Sequence, residues 1–322
     1  MRRQAVALGI ALALAATGAA AQAKKVAIAG WGPHPTLNET IAGFKNGLAA
    51  EGFREGQNVV FDESHVNFDR ALVPQMLSKL AGGSPDLMVT IATPVSMTAA
   101  QQLKGRDFPI VFTPIADPVY ARLVPSWSAG GKLITGSSVA LDYETVLRFF
   151  KTVLPDLRRL GVLYDTGDDS SAAALEAVER LAPKLGLTIV RVGMDNPSEL
   201  PQRVQSAVAR ADALYAVASG RIQQGTAAIA ATADRAKIPV LTTIPQMVSQ
   251  HQALAAMAVS FGQSGEAAGR IAGRILKGED PARIAPWKPA AADHAPMVSA
   301  QRLKALELRL PESLKDCKCV IQ

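Results

Sequence analysis

The sequence predicts an α/β fold with two doubly wound parallel-sheet lobes joined by a multi-strand hinge. Short apolar runs alternate with longer amphipathic stretches after residue 24, which is typical of βα units around a parallel sheet. The length of 322 residues exceeds that of a typical single domain and favours two. The alternation starts again after Gly130 and Gly131, so each half is expected to form its own sheet.

The apolar runs of the first half are short enough to be buried strands, and the stretches between them have helical patterns. The predicted strands are Val26–Ala29, Val59–Phe61, Leu87–Ile91 and Ile110–Phe112. The predicted helices are roughly Asn38–Glu51, Phe68–Leu80 and Val95–Leu103. Together these elements predict the sheet of the first lobe and its covering helices.

The second half has the same rhythm without visible sequence repetition. Its predicted strands are Leu160–Tyr164, Thr188–Val192, Ala213–Val217 and Val240–Thr243. Its predicted helices are about Tyr143–Val153, Ser171–Leu185, Leu200–Ala209 and Gln223–Ala236. A strand at Leu254–Val259, a helix at Ser264–Leu276 and a Pro- and Ala-rich strap from Gly278 to His294 follow.

These elements divide the chain into two lobes. Lobe 1 is predicted to comprise residues 24–138 plus about 253–280, and lobe 2 residues 139–252 plus 281–322. Hinge segments are expected near residues 137–139, 250–253 and 278–296. Ligands of open α/β sheets bind beyond the carboxyl ends of the strands, so a cleft between the lobes is the expected site.

The N-terminus has the pattern of a cleavable signal peptide over residues 1–23. Arg2 and Arg3 form a basic start, an apolar run spans Ala5–Ala16, and Ala21-Gln22-Ala23 fits an A-x-A cleavage site. The alternative is a buried N-terminal helix or anchor, although the run is shorter than the roughly 20 apolar residues that span a bilayer. Because no cysteine lies near the cleavage point, the expected location is the periplasm, as a protein that is not a lipoprotein.

Charge and missing motifs exclude several functional classes. The formal net charge of +6 is spread along the chain without a basic cluster, so nucleic acid is not a predicted partner. A phosphate-binding loop, a nucleophile elbow and a zinc motif are missing, and the four histidines are scattered. The sequence therefore predicts no catalytic residue, no cofactor and no metal site. Cys317 and Cys319 leave three alternatives open: a metal-binding pair, a local bridge or a detail of the tail.

Candidate ligand-binding residues lie in the loops that follow the predicted strands. Trp31, in a loop rich in Gly and Pro, suits an apolar or stacking wall. Thr93 and Ser170 stand at helix starts, where hydroxyls cap the helix or free N–H groups receive an anion. Asp117 either bonds the ligand or holds its own turn. The full predicted set is Trp31, His34, Thr93, Pro94, Ser96, Asp117, Tyr164, Ser170, Ser171, Ser219, Arg221 and Gln246.

Short motifs follow one another in a definite order along the chain. They include His34-Pro35, Gly56-Gln57-Asn58-Val59, Ala92-Thr93-Pro94, Asp117-Pro118-Val119, Lys237-Ile238-Pro239-Val240 and Gly278-Glu279-Asp280-Pro281. In this order they resemble the ABC-transporter substrate-binding family typified by the tryptophan- and phenylalanine-binding lipoproteins. The resemblance implies the type I periplasmic-binding-protein fold and no enzymatic activity. It also implies a monomer that closes on a small-molecule ligand and presents it to an ABC permease in the inner membrane.

One departure from that family concerns the cargo. Amino-acid-binding relatives typically carry an acidic residue after the strand that matches Ala213–Val217, where it holds the ligand's ammonium group. This chain has Ser219-Gly220-Arg221 there, and arginine recognises carboxylates. The expected ligand is therefore anionic or uncharged rather than a simple amino acid, unless Arg221 points into solvent. The alternative functions are an envelope sensor that presents its closed form to a receptor and an exported α/β enzyme.

Overall fold

The computed structural model describes residues 23–322 and places them in two sheets flanked by helices. The two-lobed α/β prediction is confirmed. The predicted signal peptide falls, apart from Ala23, outside the described residues. Within residues 23–322, no helix is both long enough and apolar enough to cross a membrane.

The first sheet is entirely parallel and has the strand order β2-β1-β3-β4-β5. Its strands are β1 Lys24–Gly30, β2 Val59–His65, β3 Leu87–Ile91, β4 Ile110–Ile115 and β5 Ile134–Ser138. Its first three helices are α1 Pro35–Ala50, α2 Val73–Gly82 and α3 Thr93–Gln102. All residues of β3 and β4 are buried, because helices cover both faces of the sheet.

The second sheet has the order β12-β11-β10-β9-β8-β6-β7, with β11 antiparallel to β10 and the other pairs parallel. Its strands are β6 Arg159–Asp165, β7 Thr188–Met194, β8 Ala213–Ala216, β9 Val240–Thr242, β10 Ala255–Val259, β11 His294–Ser299 and β12 Val320–Ile321. The remaining helices are α4 Tyr143–Val153, α5 Asp169–Leu181, α6 Leu200–Val208, α7 Gly220–Gln224, α8 Thr226–Arg235, α9 Pro245–Ser249, α10 Phe261–Leu276 and α11 Ala300–Ala305.

The chain exchanges sheets at places that differ from the predicted boundaries. Strand β10 pairs with β9 through Ala255 and Leu241, so it belongs to the second sheet and not to lobe 1. Helix α10, which follows it directly, packs on α1 of the first lobe. The residues of an apolar strand do not show which strand it will pair with. For this reason β10 was wrongly predicted to belong to lobe 1. The second crossing between lobes is therefore at Ser260, not at residues 250–253.

The predicted strap also divides between the lobes. Its first part returns to the first sheet, where Thr135 donates to the Ile284 carbonyl at 2.8 Å and the Trp287 N–H donates to the Gly136 carbonyl at 2.9 Å. From His294 onward the chain is again part of the second sheet, as β11. Residues 281–287 thus lie on the first lobe, although the sequence assigned them to the second.

Helices α1 and α10 pack with their backbones almost in contact. Gly43 and Gly47 on α1 face Gly265 and Gly269 on α10. A Cβ atom on Gly47 would lie 2.1 Å from the Glu266 carbonyl oxygen, and one on Gly269 would lie 2.1 Å from the Phe44 carbonyl oxygen. Only glycine allows this approach. The contact holds α10, which arrives from the other lobe, on the first sheet.

The C-terminal segment is held beside α4 and β11. Cys317 and Cys319 form a disulfide, so the local bridge is the correct one of the three alternatives. Cys319 is buried, and the segment packs against the core that surrounds α4. The bridge joins residues two apart and constrains only this short tail.

Candidate functional site

Three crossings join the carboxyl edge of one sheet to that of the other. The first, residues 139–142, leads from the end of β5 to the start of α4. The second, Ser260, leads from the end of β10 to the start of α10. The third follows Trp287, which bridges to Ser137, and ends at His294, which pairs with Val259 at the end of β10. Because all three connections are short, the two carboxyl edges meet across a cleft at the hinge.

Two aromatic rings lie beyond the carboxyl ends of β1 and β2 in the first lobe. Trp31, directly after β1, is half-buried and meets Phe68 edge-to-face with ring centroids 6.2 Å apart. Phe68 has φ 66° and covers Gly32, leaving 46% of its surface exposed. Trp31 was predicted as a site residue, whereas Phe68 was wrongly predicted to begin a helix; α2 begins only at Val73, and Phe68 lies in the loop before it. His34 is exposed, and its Nδ1 accepts from the Thr36 N–H at the start of α1.

The start of α3 lies on the next strand of the same edge. Ala92 has φ 76° and ψ 156°, a backbone conformation that is strained for any residue but glycine, and no side chain caps the helix. Among the described residues, neither the Thr93 N–H nor its hydroxyl has a hydrogen-bond partner. Ser96 is different: it is fully buried, and its hydroxyl bonds Thr90 and the Ala92 carbonyl. The open helix start is thus Thr93-Pro94.

Asp117 holds its own turn. Its Oδ1 accepts from the Val119 and Tyr120 N–H groups, each at 2.9 Å. Of the two roles left open by the sequence, the geometry supports the turn, although the exposed Asp117 side chain still lies at the carboxyl edge beyond β4.

In the second lobe, the free N–H groups at the start of α5 already have hydrogen-bond partners within the chain. The Asp168 carboxylate accepts from the Ser170 and Ser171 N–H groups and from the Ser170 hydroxyl. The Ser171 side chain is buried, and its oxygen accepts from the Asp165 N–H at 2.9 Å. The predicted anion-receiving role of this helix start is therefore not supported, because its own cap occupies the donors.

Arg221 is held by Asp165, a carboxylate that was not among the predicted site residues. Its Nη1 donates to Asp165 Oδ1 at 3.1 Å and to the Asp195 carbonyl at 3.0 Å. The Asp165 side chain is 4% exposed and that of Arg221 is 46% exposed. Within residues 23–322, no partner bonds Nη2 or Nε of Arg221. Arg221 therefore belongs to the carboxyl edge and keeps one donor edge free.

The remaining predicted site residues of the second lobe are Ser219, Tyr164 and Gln246. Ser219 is buried, and its hydroxyl accepts from the Ile222 N–H to cap α7. Tyr164 is half-buried, and its ring packs over Gly193 of β7. Gln246 is exposed in the first turn of α9. The structure thus brings Arg221 and Ser219 together at one strand end, while Tyr164 and Gln246 lie on the flanks.

Three hydroxyl residues lie near the start of α4: the half-buried Tyr143, the fully buried Tyr215 of β8 and the buried Thr243 just after β9. Burial raises the pKa of Tyr143 to about 12. Burial also raises the pKa of Tyr215 well above its ordinary value; the charge of Tyr143 adds to this effect, and a side-chain hydrogen bond with Thr243 opposes it. Both phenols are therefore uncharged at neutral pH. None of these three residues was among the predicted site residues.

Comparison with known proteins identifies the family. The family model for the ABC transporter substrate binding protein matches residues 25–317. The chain belongs to this family. It is 29% identical over 256 residues to a tyrosine-binding protein of Clostridioides difficile (strain R20291), covering 80% of this chain and 73% of that protein. The resemblance inferred from the sequence motifs is confirmed.

Solved structures of relatives agree with the family and with the fold. The ligand-free, open structure of a substrate-binding protein from Clostridium difficile superimposes with a TM-score of 0.82 at 28% identity, covering 93% of this chain and 99% of that one. A domain from Streptococcus pneumonia in complex with L-Trp has a TM-score of 0.78 at 26% identity, covering 93% and 100%. Members of this ABC-transporter family bind small molecules and work with ABC permeases, and their lobes have the type I periplasmic-binding-protein fold.

Proposed function

We propose that this protein is the periplasmic solute-binding component of an ABC importer, and that its cargo is a small aromatic carboxylate without an ammonium group. Ligand in the cleft contacts both lobes and shifts the hinge equilibrium toward the closed form, which the permease then reads. The protein itself contributes binding and closure, and no covalent step is required.

A carboxylate suits the open start of α3. Helix N-termini attract anions because their first N–H groups lack partners and the helix dipole is positive there. Thr93 provides both a free N–H and a free hydroxyl at this position. The strain at Ala92 is consistent with a backbone held for binding rather than for helix stability.

An aromatic body suits the wall formed by Trp31 and Phe68. In an edge-to-face pair at least one face of each ring is left uncovered by the other ring, and contact of a third ring with such a face adds to the burial of apolar surface. Relatives described as a tyrosine-binding protein and as a domain in complex with L-Trp are consistent with an aromatic ligand.

The absence of an ammonium group is inferred from Arg221, and this residue is the observation that carries the proposal. A guanidinium only donates hydrogen bonds, so the ligand must present an acceptor to its free edge. An ammonium group also only donates and cannot pair with it. Three carboxylates lie nearby, and each is engaged by the chain: Asp165 pairs with Arg221, Asp168 caps α5 and Asp195 accepts from the Thr166 hydroxyl.

Matched ligands test this proposal directly. We would titrate the protein with L-tyrosine and 4-hydroxyphenylpyruvate, and with L-tryptophan and indole-3-pyruvate, by calorimetry and thermal shift. Within each pair, the amino acid carries an ammonium donor at the position where the 2-oxo acid carries a carbonyl acceptor. The 2-oxo acids are expected to bind more tightly, and a ligand at a hundred times its Kd stabilises the native state by roughly 2.7 kcal/mol.

Variants assign the preference to Arg221. Arg221→Ala is expected to weaken binding of the 2-oxo acids by about 10-fold or more, the worth of a hydrogen bond to a charged group. Arg203→Ala is the matched control, because Arg203 pairs with Glu199 on the surface of α6. Tighter binding of the amino acids, together with no effect of Arg221→Ala, would reject the proposed cargo.

Export is tested separately. N-terminal sequencing of the protein from a periplasmic extract is expected to begin at Lys24, directly after the predicted cleavage site. A protein recovered only from the cytoplasm with Met1 retained would contradict the periplasmic role.

A further inference from the structure

His294 lies where the three crossings between the lobes come together. Its side chain is 6% exposed, and its backbone pairs with Val259, the residue before the crossing at Ser260. Its Nε2 accepts from the Asp142 N–H at 2.9 Å, and Asp142 is the last residue of the first crossing. Its Nδ1 lies 2.9 Å from the carbonyl oxygen of Ala290 in the third crossing. One imidazole therefore joins two crossings and stands beside the third.

The two partners fix the tautomer of this imidazole. A peptide N–H can only donate and a carbonyl can only accept, so Nδ1 carries the proton and Nε2 is the acceptor. The ring is uncharged in this arrangement. Protonation would place a second N–H on Nε2, opposite the N–H of Asp142, and two donors cannot bond each other. The bond between the ring and the first crossing thus exists only for neutral His294.

Both chain segments that His294 joins are fixed by hydrogen bonds of their own. The Asp293 Oδ2 accepts from the Ala290 N–H at 2.8 Å, and the Ala290 carbonyl accepts from the Asp293 N–H at 3.0 Å. These bonds close a single turn over Ala291–Asp293. In the first crossing, the Asp142 carboxylate caps α4. His294 therefore connects two ordered segments at the second-lobe end of the hinge.

Other ionisable groups on the elements around His294 are uncharged or engaged elsewhere. They are Tyr143, Glu144 and Arg148 of α4, Lys288 and Asp293 of the third crossing, and Glu266 and Arg270 of α10. Burial raises the pKa of Tyr143 to about 12, and the charged groups contact one another, an aromatic ring or their own turn. Asp142 is different, because His294 is among the groups that lower its carboxyl pKa. A protonated ring would be drawn from the N–H of Asp142 toward its carboxylate.

We propose that neutral His294 is a positioning residue of the hinge, that it fastens the first crossing to the third, and that its protonation releases this fastening and weakens ligand binding. Crossings that move independently lose more freedom on closure than crossings that are already joined, and this loss lowers the affinity. His294 acts through the crossings and not through contact with the ligand. The inference rests on the proposed function, because it concerns how the same cleft closes.

Two substitutions in the full-length protein separate the hydrogen bond from the bulk of the ring. His294→Gln can present its Oε1 to the Asp142 N–H and carries no charge, whereas His294→Leu fills the space without an acceptor. The probe is 4-hydroxyphenylpyruvate, titrated by calorimetry at about pH 7.5. His294→Leu should bind it about 2- to 10-fold more weakly than the wild type, the usual worth of one hydrogen bond, and His294→Gln should restore most of the affinity.

The pH profile of binding separates a positioning role from a merely structural one. Between about pH 7.5 and about pH 5.5, on either side of the ordinary histidine pKa of about 6.5, the wild-type affinity should fall by a similar factor. The affinity of His294→Gln should stay level. Asp142 remains ionised over this range, because its carboxyl pKa is held below its usual value.

His251→Gln is the matched control for the pH profile. His251 is half-buried, and its Nδ1 lies 2.9 Å from the Ser299 hydroxyl at the opposite edge of the second sheet. Because this position is away from the crossings, the variant should keep the wild-type pH dependence of binding.

Hydrogen exchange of the ligand-free proteins tests the fastening without any probe. Peptides that cover residues 139–142 should exchange faster in His294→Leu than in the wild type, and His294→Gln should restore their protection. Peptides from helix α8, which lies away from the hinge, should exchange equally in all three proteins.

Each result distinguishes the fastening from the proposed cargo. Wild-type exchange or wild-type affinity in His294→Leu would overturn the fastening, and so would an acid-induced loss of affinity that is equal in the wild type and His294→Gln. If His294→Leu does not fold, the pH profiles of the wild type and His294→Gln decide. A wild-type protein that does not bind the probe would reject the proposed cargo instead, and exchange in the ligand-free variants would then decide the fastening alone.

Discussion

Arg221 and Asp165 form an ion pair across the carboxyl edge of the second sheet, with Nη1 and Oδ1 3.1 Å apart. The carboxylate is buried and the guanidinium is half-exposed. The positive charge expected from Ser219-Gly220-Arg221 is therefore compensated, and the pair acts on a ligand through directed donors more than through net charge. This compensation was not visible in the sequence, because the partners are 56 residues apart.

Asp165→Asn should separate these two effects. Losing the carboxylate charge is expected to destabilise the fold by about 2 kcal/mol, less than for a fully buried pair because Arg221 is half-exposed. It also leaves Arg221 uncompensated, so binding of 4-hydroxyphenylpyruvate should fall more steeply with salt than in the wild type. Denaturant unfolding and calorimetry at two salt concentrations measure both quantities.

Asp212→Asn is the control for that experiment. Asp212 pairs with Arg159 at 2.7 Å at the start of β6, away from the cleft. Its loss should lower stability without changing the salt dependence of binding. If Asp165→Asn showed the same salt dependence as the wild type, the charge of Arg221 would not contact the ligand.

The aromatic wall yields a second prediction. Phe68→Ala removes a ring that is 46% exposed, so its effect on stability should be small. Binding of indole-3-pyruvate should weaken by about 2- to 10-fold, the worth of one aromatic pair. Val60→Ala on β2 is the control, because Val60 is similarly exposed. Equal affinities of the two variants for this probe would remove Phe68 from the site.

Much of the fold followed from the pattern of apolar runs. Strand β3 was predicted at its observed bounds, and so was helix α4. Strand β5 was expected only as a hinge segment, because Thr135, Gly136 and Ser137 are not an apolar run. Its buried hydroxyls are instead bonded internally: Ser137 donates to Thr113 at 2.8 Å, and Thr135 donates to Ile284.

The site was less predictable than the fold. Loops at the carboxyl ends of strands were correctly selected, but the state of each donor depends on partners that are distant in sequence. Ser170 resembled an open helix start until the structure placed Asp168 on it.

The contact between α1 and α10 should not tolerate a methyl group. Gly269→Ala would place Cβ about 2 Å from a carbonyl oxygen, which forces the helices apart and costs about 1–3 kcal/mol or more. Gly82→Ala is the control, because no atom lies within 4 Å of its new Cβ and alanine favours helix. Denaturant unfolding should show a large loss for the first variant and none for the second.

Asp142, in the first crossing between the lobes, should make the stability of the fold depend on pH. Burial raises the pKa of this carboxyl, but hydrogen bonds from the Thr145 hydroxyl and the Glu144 N–H, with His294 nearby, outweigh it and hold the pKa below its usual range. A depressed pKa stabilises the fold above the unfolded value of about 3.9, and this contribution is lost as pH falls through the folded pKa. Below that pH the cap of α4 weakens. The capping residue is Asp142, whose own N–H also donates to His294 Nε2.

Asp142→Asn isolates this charge, because asparagine caps helices about as well as aspartate. The wild-type Tm should fall more steeply than that of the variant as pH is lowered from about 5 to 3, the range in which such carboxylates become protonated. Asp156→Asn, an exposed position just after α4, should follow the wild type. Parallel wild-type and Asp142→Asn curves would mean that the charge of Asp142 does not stabilise the crossing, and that its hydrogen bonds act as those of a neutral cap.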